Sequence, residues 1–441
     1  MASPYTIHID QAVLDDLQER LGQTRLPDHL QGSRWGYGAE PSYIQELLQY
    51  WKTPYDWRKQ EQILNKTLHH FTIPLNAIDL HFVHEKSKHK NAIPLLIIHG
   101  WPGSFLEFTE IIPQLVNPGE GKQAFHVVAP SLPGYGFSSA PQHKGFALVS
   151  IAKTFNQLML ELGYTKYVAQ GDKCLSMYVV FALASYIFRP CLGWLGWATQ
   201  AMYLCIVGGD WGSAVSKTPG IFHSENCRGI HVNFMIASPN RYNPRHLLQL
   251  ANAFAPYADQ FPLFLSADEI RGIKGLGHFQ SQESGKATLI ASTKPQSLGY
   301  SLNDSPVGLL AWMVEKFKTW SDRRHTNGQL PFSKDFLITN CCVYWLTGNV
   351  TSSFRLYYEV KHAHEGQQIK QYCKVPTGVA VFPKEICCMP KNWAEGFYNI
   401  QQWTVMEKGG HFAAKEEPED LANDVQNFFK NEALFGKDFA Q

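Results

Sequence analysis

The sequence predicts an α/β protein with a mostly parallel sheet and a helical lid inserted between its strands. Three observations carry this. Short apolar runs ending in glycine or proline alternate with amphipathic helical stretches, as in a parallel sheet covered on both faces. Between residues 240 and 365 the chain turns helical, polar and aromatic, then returns to strands. The octapeptide VGGDWGSA (207–214) has the small-x-nucleophile-x-small form of a sharp strand-to-helix turn, Gly208-Gly209-Asp210-Trp211-Gly212.

The elements follow in order. AVLDDLQERLGQTRLP (12–27) spaces Val13, Leu14, Leu17 and Leu21 as a helix stopped by Pro27, and PSYIQELLQYWKT (41–53) reads as a second helix. Residues 60–90 read as extended, with LHFVHE (80–85) alternating like a strand. PLLIIHG (94–100) and AFHVVAP (124–130) are continuous apolar runs, the mark of buried parallel strands. GFALVSIAKTFNQLMLELG (145–163) is an amphipathic helix, KYVAQG (166–171) a short strand, and RGIHVNF (228–234) another. After the helical stretch, TGVAVFP (377–383) and NIQQWTVME (399–407) are strands, and PEDLANDVQNFFKN is a closing amphipathic helix.

Composition narrows the function. The 441 residues carry a net charge of +1 with 17% charged side chains, which argues against nucleic acid or an acidic partner. Aromatic residues make up 13%, enough to line an apolar pocket. The nine cysteines show no C-x-x-C pairing, and Cys341-Cys342 and Cys387-Cys388 are adjacent pairs ill-suited to ordinary disulfides. They read as reduced thiols of a cytoplasmic chain that binds no metal. The start, MASPYTIHIDQAV, lacks the basic and apolar regions of a signal peptide, so no N-terminal membrane anchor is expected.

Chemistry in such a sheet gathers at the carboxyl ends of the strands. Three loops qualify. HGWPGS (99–104) is a glycine-rich turn that can aim backbone N–H groups at an anion. The turn at 208–212 presents Asp210 where most proteins of this pattern carry serine. KGGHFAAKEEPE (408–419) sets His411 on a Gly-Gly turn between a strand and the last helix, third in the chain order Asp, acid, His.

Together these segments resemble the microsomal-type epoxide hydrolases, and in particular their soluble, fungal-like members. The resemblance rests on DDLQERLGQTRLP, YWKTPYDWRKQEQILN, HGWPGSFLEF, PSLPGYGFSS, GGDWGS, STKPQSLGYSLNDSPVGLLAW, VYWLTGNVTSSFRLYYE, VAVFPKEI and EKGGHFAAKEEPE, all in order. It implies the α/β-hydrolase fold with an N-terminal segment wrapping core and lid. It implies that an epoxide and water become a vicinal diol through an aspartyl ester, without metal or organic cofactor. In that scheme Asp210 is the nucleophile, His411 the base, Glu385 in FPKEI the acid that orients it, and the backbones of Trp101 and Trp211 the oxyanion hole. Tyr357 in SSFRLYYE protonates the ring oxygen, with Tyr358 the neighbouring alternative. The implied partners are a small apolar epoxide and water, and the resemblance leaves room for a homodimer. Detoxification and aromatic hydrocarbon catabolism are the implied settings.

Two departures stand out. A second lid tyrosine is expected shortly before STKP, but Lys286 or Ala287 occupies its place, and Tyr300 is not an evident substitute. Joining Gly171 to Gly209 restores the junction YVAQG-GDWGS, so residues 172–208 form an atypical apolar insertion with Arg189 its one charged residue beyond Lys173. It reads as a translated intron, a transmembrane hairpin too short for a bilayer, or a true insertion; alternatively MYLCIV (202–207) replaces YVAQ as the nucleophile strand. The expected divisions are an N-terminal segment (1–90), a first half of the core (91–237), the lid (238–365) and a second half of the core (366–441). Two rival functions remain, an aspartate-nucleophile haloalkane dehalogenase and an inactive scaffold that binds apolar ligands.

Overall fold

The computed structural model describes residues 1–171, 211–235, 237–240, 242–255, 264–282, 290–363, 365 and 368–439. Asp210, Lys286, Ala287 and the insertion 172–208 lie outside the described residues. Among the described residues nine strands form one sheet, in the order β1-β2-β3-β5-β4-β6-β7-β8-β9. Strands β1 (Ser3–Pro4), β2 (His70–Leu75) and β3 (Ile78–Glu85) make an antiparallel edge that joins β5 (Phe125–Pro130). From β5 onward the sheet is parallel through β4 (Ile93–Ile98), β6 (Tyr167–Gly171), β7 (Cys227–Val232), β8 (Cys373–Val381) and β9 (Tyr398–Val405). The continuous apolar run in β4 follows from burial on both faces, since Leu95 to Ile98 expose nothing.

The N-terminal segment differs from expectation in two places. Helix α1 (Gln11–Gly22) ends five residues before Pro27, because Leu21 is its last buried position and Leu26 faces solvent. Glycine at 22, a poor helix former, suits that end. Residues 60–67, read from sequence as the start of an extended stretch, are instead helical: beyond α2 (Pro41–Lys52), α3 spans Trp57–Thr67. Asp56 caps it by accepting the N–H groups of Arg58 and Lys59, and Trp57, Glu61 and Leu64 bury one face at helical spacing. The buried carboxylate of Glu61 accepts the Ile9 N–H at 2.8 Å, which ties the leading strand-like segment to this helix.

Helices α4 (Ile111–Val116), α5 (Leu148–Glu161) and α6 (Trp211–Phe222) follow strands of the core. The junction of β6 and α6 is close. A Cβ at Gly171 would sit 2.2 Å from the Gly212 carbonyl oxygen, and the Ser213 hydroxyl donates to the Gly171 carbonyl at 3.1 Å. Only glycine lets the strand end this near the helix start. Thus YVAQG fills the slot between β4 and β7 that leads to α6.

Between β7 and β8 the chain forms α7 (Pro244–Phe254), α8 (Ala267–Gln282), α9 (Pro295–Asp304), α10 (Pro306–Trp320), α11 (Lys334–Trp345) and α12 (Val350–His362). After β8 come α13 (Lys391–Ala394), α14 (Ala413–Glu416), α15 (Pro418–Phe429) and α16 (Glu432–Phe439). Among the described residues no helix is long and apolar enough to cross a membrane.

Candidate active site

Glu385 and His411 are 26 residues apart in sequence and meet because two neighbouring parallel strands end side by side. Beyond β8, Lys384 bridges Gly410 in parallel, and its N–H donates to the Gly409 carbonyl at 3.1 Å. This lacing brings His411 Nδ1 to 2.5 Å from Glu385 Oε1. The histidine is fully buried and the Glu385 side chain nearly so. The same Glu385 oxygen accepts the Ile386 N–H at 2.7 Å. A carboxylate on Nδ1 favours the tautomer protonated there and stabilises an imidazolium if one forms. The rings of Trp320 and Phe234 stand edge-on to His411, at 5.1 and 6.3 Å between centroids, and shield the pair from water.

The Gly-Gly turn has two jobs. Gly409 adopts φ +98°, open to glycine but strained for other residues, and a Cβ at Gly410 would lie 2.7 Å from the Trp320 carbonyl oxygen. The second contact shows how the histidine loop is held. The His411 N–H donates to the Trp320 carbonyl at 2.9 Å, so the lid anchors His411 directly. Phe317 stacks on Phe412 at 4.4 Å.

Two further carboxyls hold this loop. Asp322 accepts the Gly409 N–H at 3.1 Å and pairs with Arg324 at 2.7 Å. Burial works against its charge, but Arg324 and the backbone donors of Arg324 and Gly409 outweigh it and bring its pKa down to about 2. Glu416 accepts the N–H groups of Phe412 at 2.8 Å and Asp322 at 2.6 Å. Burial pushes its carboxyl up to about 8 against the pull of those donors, with Glu385 and Asp322 adding like charge. Near neutral pH Glu416 is therefore largely neutral and adds little charge beside the His411–Glu385 pair.

The depressed pKa of Asp322 has a measurable consequence. A carboxylate stabilised by folding adds stability above its unfolded pKa and loses it as pH falls through the folded value. Asp322→Asn is expected to cost about 1–2 kcal/mol near neutral pH, a figure discounted because Arg324 is partly solvated. That cost should shrink between pH 4 and pH 2. Urea unfolding of both proteins across this range measures it, and a cost independent of pH would refute the assignment.

Tyr357 is buried on α12 and stands edge-on to Trp211 at 4.6 Å and to Trp101 at 6.4 Å between ring centroids. Tyr357 thus contacts both residues whose backbones were expected to bind an oxyanion. Its neighbour Tyr358 points away and stacks on His362 at 3.9 Å. Tyr300 is 74% exposed, so it does not stand in for a second lid tyrosine. Trp211 opens α6, and the first N–H groups of a helix lack intrahelical acceptors. The loop 130–139 fixes the base of α12: the Tyr135 hydroxyl donates to the Ser353 carbonyl at 2.8 Å, and the Asn349 amide to the Gly136 carbonyl at 2.8 Å. Among the described residues no cluster of His, Cys, Asp and Glu could hold a metal ion.

Sequence reasoning missed Trp320, Asp322, Glu416, Asn340 and Tyr344 as parts of the site's support. A signal existed for the last two. Every residue of α11 from Phe336 to Trp345 is buried. A helix buried all round that carries Asn and Tyr must satisfy their polar atoms internally.

Comparison with known proteins gives a consistent assignment. The family described as "Epoxide hydrolase N terminus" matches residues 2–108, and the "alpha/beta hydrolase fold" family matches residues 93–171. The latter match stops at Gly171, the residue before the expected insertion. A "Putative epoxide hydrolase" of Stigmatella aurantiaca is 36% identical over 97% of this chain and 84% of its own. "Epoxide hydrolase 1" of Sus scrofa is 34% identical over 96% of this chain and 88% of its own. Among solved structures, the juvenile hormone epoxide hydrolase of the silkworm Bombyx mori superposes with a TM-score of 0.80 at 29% identity, covering 98% of this chain and 94% of that one. The Aspergillus niger epoxide hydrolase gives 0.77 at 26%, covering 98% and 96%.

Proposed function

This chain belongs to the epoxide hydrolase family, and from that premise we propose that it adds water to an epoxide through an ester on Asp210. Two observations carry the reading: the buried His411–Glu385 pair beyond β8 and β9, and the buried Tyr357, whose ring stands against both Trp101 and Trp211. The Asp210 carboxylate attacks a ring carbon, the C–O bond breaks, and the tyrosine hydroxyl gives its proton to the leaving alkoxide. A phenol suits this step, because its pKa near 10 keeps it protonated at neutral pH. The product of the step is a glycol ester. His411 then takes a proton from water, and the resulting hydroxide attacks the Asp210 carbonyl. The oxyanion formed there is stabilised by the N–H groups of Trp101 and Trp211, each such donor being typically worth ~2.7–4 kcal/mol. On collapse the departing diol oxygen takes the proton from the His411 imidazolium, and the proton left on the Asp210 carboxyl returns to the Tyr357 phenolate, which restores carboxylate, imidazole and phenol. A serine at 210 would form an ether, which this base could not readily cleave.

Conversion of styrene oxide to its diol by the purified protein tests the reading against the inactive-scaffold alternative. The family assignment sets the dehalogenase alternative aside. For the acid, Tyr357→Phe is expected to slow ester formation by up to ~10²–10⁴ and to leave ester hydrolysis within a few fold. Single-turnover kinetics separate the two steps, and an unchanged first step would remove Tyr357 from the mechanism. Conversely, Ala287→Tyr or Lys286→Tyr should quicken ester formation alone.

The same reading takes an apolar epoxide as substrate, supported by the aromatic rings set around His411 and Tyr357. A cytosolic setting is supported by the described cysteines, all of them free thiols. Roles in detoxification or aromatic catabolism, and a homodimeric state, belong to this proposal; light scattering reports the last.

A further inference from the structure

The loop that carries Trp101 is held by the lid. Three consecutive residues after Trp101 are bound by two side chains of α11. The Asn340 amide donates to the Pro102 carbonyl at 2.7 Å, and the Ser104 hydroxyl donates to the Asn340 amide oxygen at 2.9 Å. The Tyr344 hydroxyl donates to the Gly103 carbonyl. Asn340, Tyr344 and Ser104 are fully buried. One Asn side chain thus reads the loop in both directions, as donor to one residue and acceptor from the next but one. In so dry a setting such bonds fix position firmly, since breaking any leaves a buried polar atom unsatisfied.

We propose that Asn340 is a positioning residue for the oxyanion hole, with Tyr344 as its second anchor, so that the lid governs how fast the aspartyl ester is hydrolysed. This rests on the ester mechanism above and on the Trp101 N–H as an oxyanion donor. A donor helps only when it sits within hydrogen-bond reach of the developing oxyanion, and small misplacements are costly. The two chemical steps feel this differently. A tetrahedral oxyanion arises only during ester hydrolysis. During ester formation the same donors hold the spectator oxygen of Asp210 before and after attack, so loosening them largely cancels.

The test uses the whole chain and styrene oxide. Asn340→Asp keeps the volume and the acceptor for Ser104 but replaces the donor to Pro102 with a second acceptor. Tyr344→Phe removes only a hydroxyl. Stopped-flow tryptophan fluorescence and rapid-quench intact mass give the two rate constants separately. Ester hydrolysis is expected to fall about 10–100-fold in Asn340→Asp and by less in Tyr344→Phe, while ester formation stays within about threefold, a partial version of the 10²–10³ lost when a donor is removed outright. The ester then becomes the main steady-state species, and kcat and KM fall together while kcat/KM changes little. Equal slowing of both steps, slowing of ester formation alone through a displaced Tyr357, or hydrolysis within twofold of the parent in both variants would overturn the proposal. Those results would leave the ester mechanism standing. If the parent forms no ester at all, the mechanism fails first and the proposal with it.

Discussion

His411→Gln is expected to abolish turnover while leaving substrate covalently attached to Asp210. The base acts only in the second step, so its loss should not prevent the first. Glutamine retains a polar side chain of similar reach but cannot take a proton from water. General-base catalysis is commonly worth ~10²–10⁴, and here the partner carboxylate and the dry aromatic surround of His411 serve that step alone. Intact-mass spectrometry after incubation with an epoxide should show one adduct of substrate mass, and digestion should map it to the peptide 209–215. An unmodified protein, or an adduct on one of the cysteines, would refute both the nucleophile and the order of steps. Glu385→Gln is the natural companion, because it leaves the imidazole in place but weakens its charge partner; a smaller accumulation of the same ester is expected.

Removing residues 172–208, so that Gly171 joins Gly209, is expected to raise soluble yield and melting temperature together. The ends of the excursion already meet, since Gly171 lies against Gly212 and Ser213. Residues 209 and 210 then need to span only a short gap, well within the reach of three peptide units. By the scaling of closure entropy with loop length, shortening the connection this much recovers on the order of 2 kcal/mol. The gain in yield should be larger, because a long apolar stretch with little charge invites association. Turnover per mole of soluble protein should rise as well, the insertion adjoining the nucleophile turn in sequence. Differential scanning fluorimetry and a styrene oxide assay on the two chains decide the matter. A lower melting temperature in the shortened chain would mean that 172–208 contributes packing the fold depends on.

The sheet was legible because its signal is local. A run such as IPLLII can be satisfied only by burial on both faces, and the glycine after it marks where the strand stops. Positions 385 and 411 were legible as loop residues at the carboxyl ends of adjacent strands. Helix α3 was harder to see, because Trp57, Glu61 and Leu64 put a carboxylate in the middle of the buried face. That carboxylate is satisfied by Trp57 and Arg58 on its own helix and by the N–H of Ile9, about fifty residues earlier. The supports of the site were not legible for a related reason. Asn340 meets Pro102, and Asp322 meets Gly409, across chain separations that no periodicity encodes.

The bonds from Trp320 to His411 and from Asn340 to Pro102 bear on how such proteins can be recombined. A lid is an attractive unit to exchange between relatives when a different substrate range is sought. Here the graft boundary cannot simply follow the ends of β7 and β8. Half of each clasp lies on the donor side of that cut and half on the recipient side. A transplanted lid that brings its own residues to positions 320, 322, 340 and 344 brings its own seating for the core loops that carry Trp101 and His411. Chimeras in this fold should therefore be designed around matched clasps, with the loops at 99–104 and 408–416 travelling with the lid that grips them.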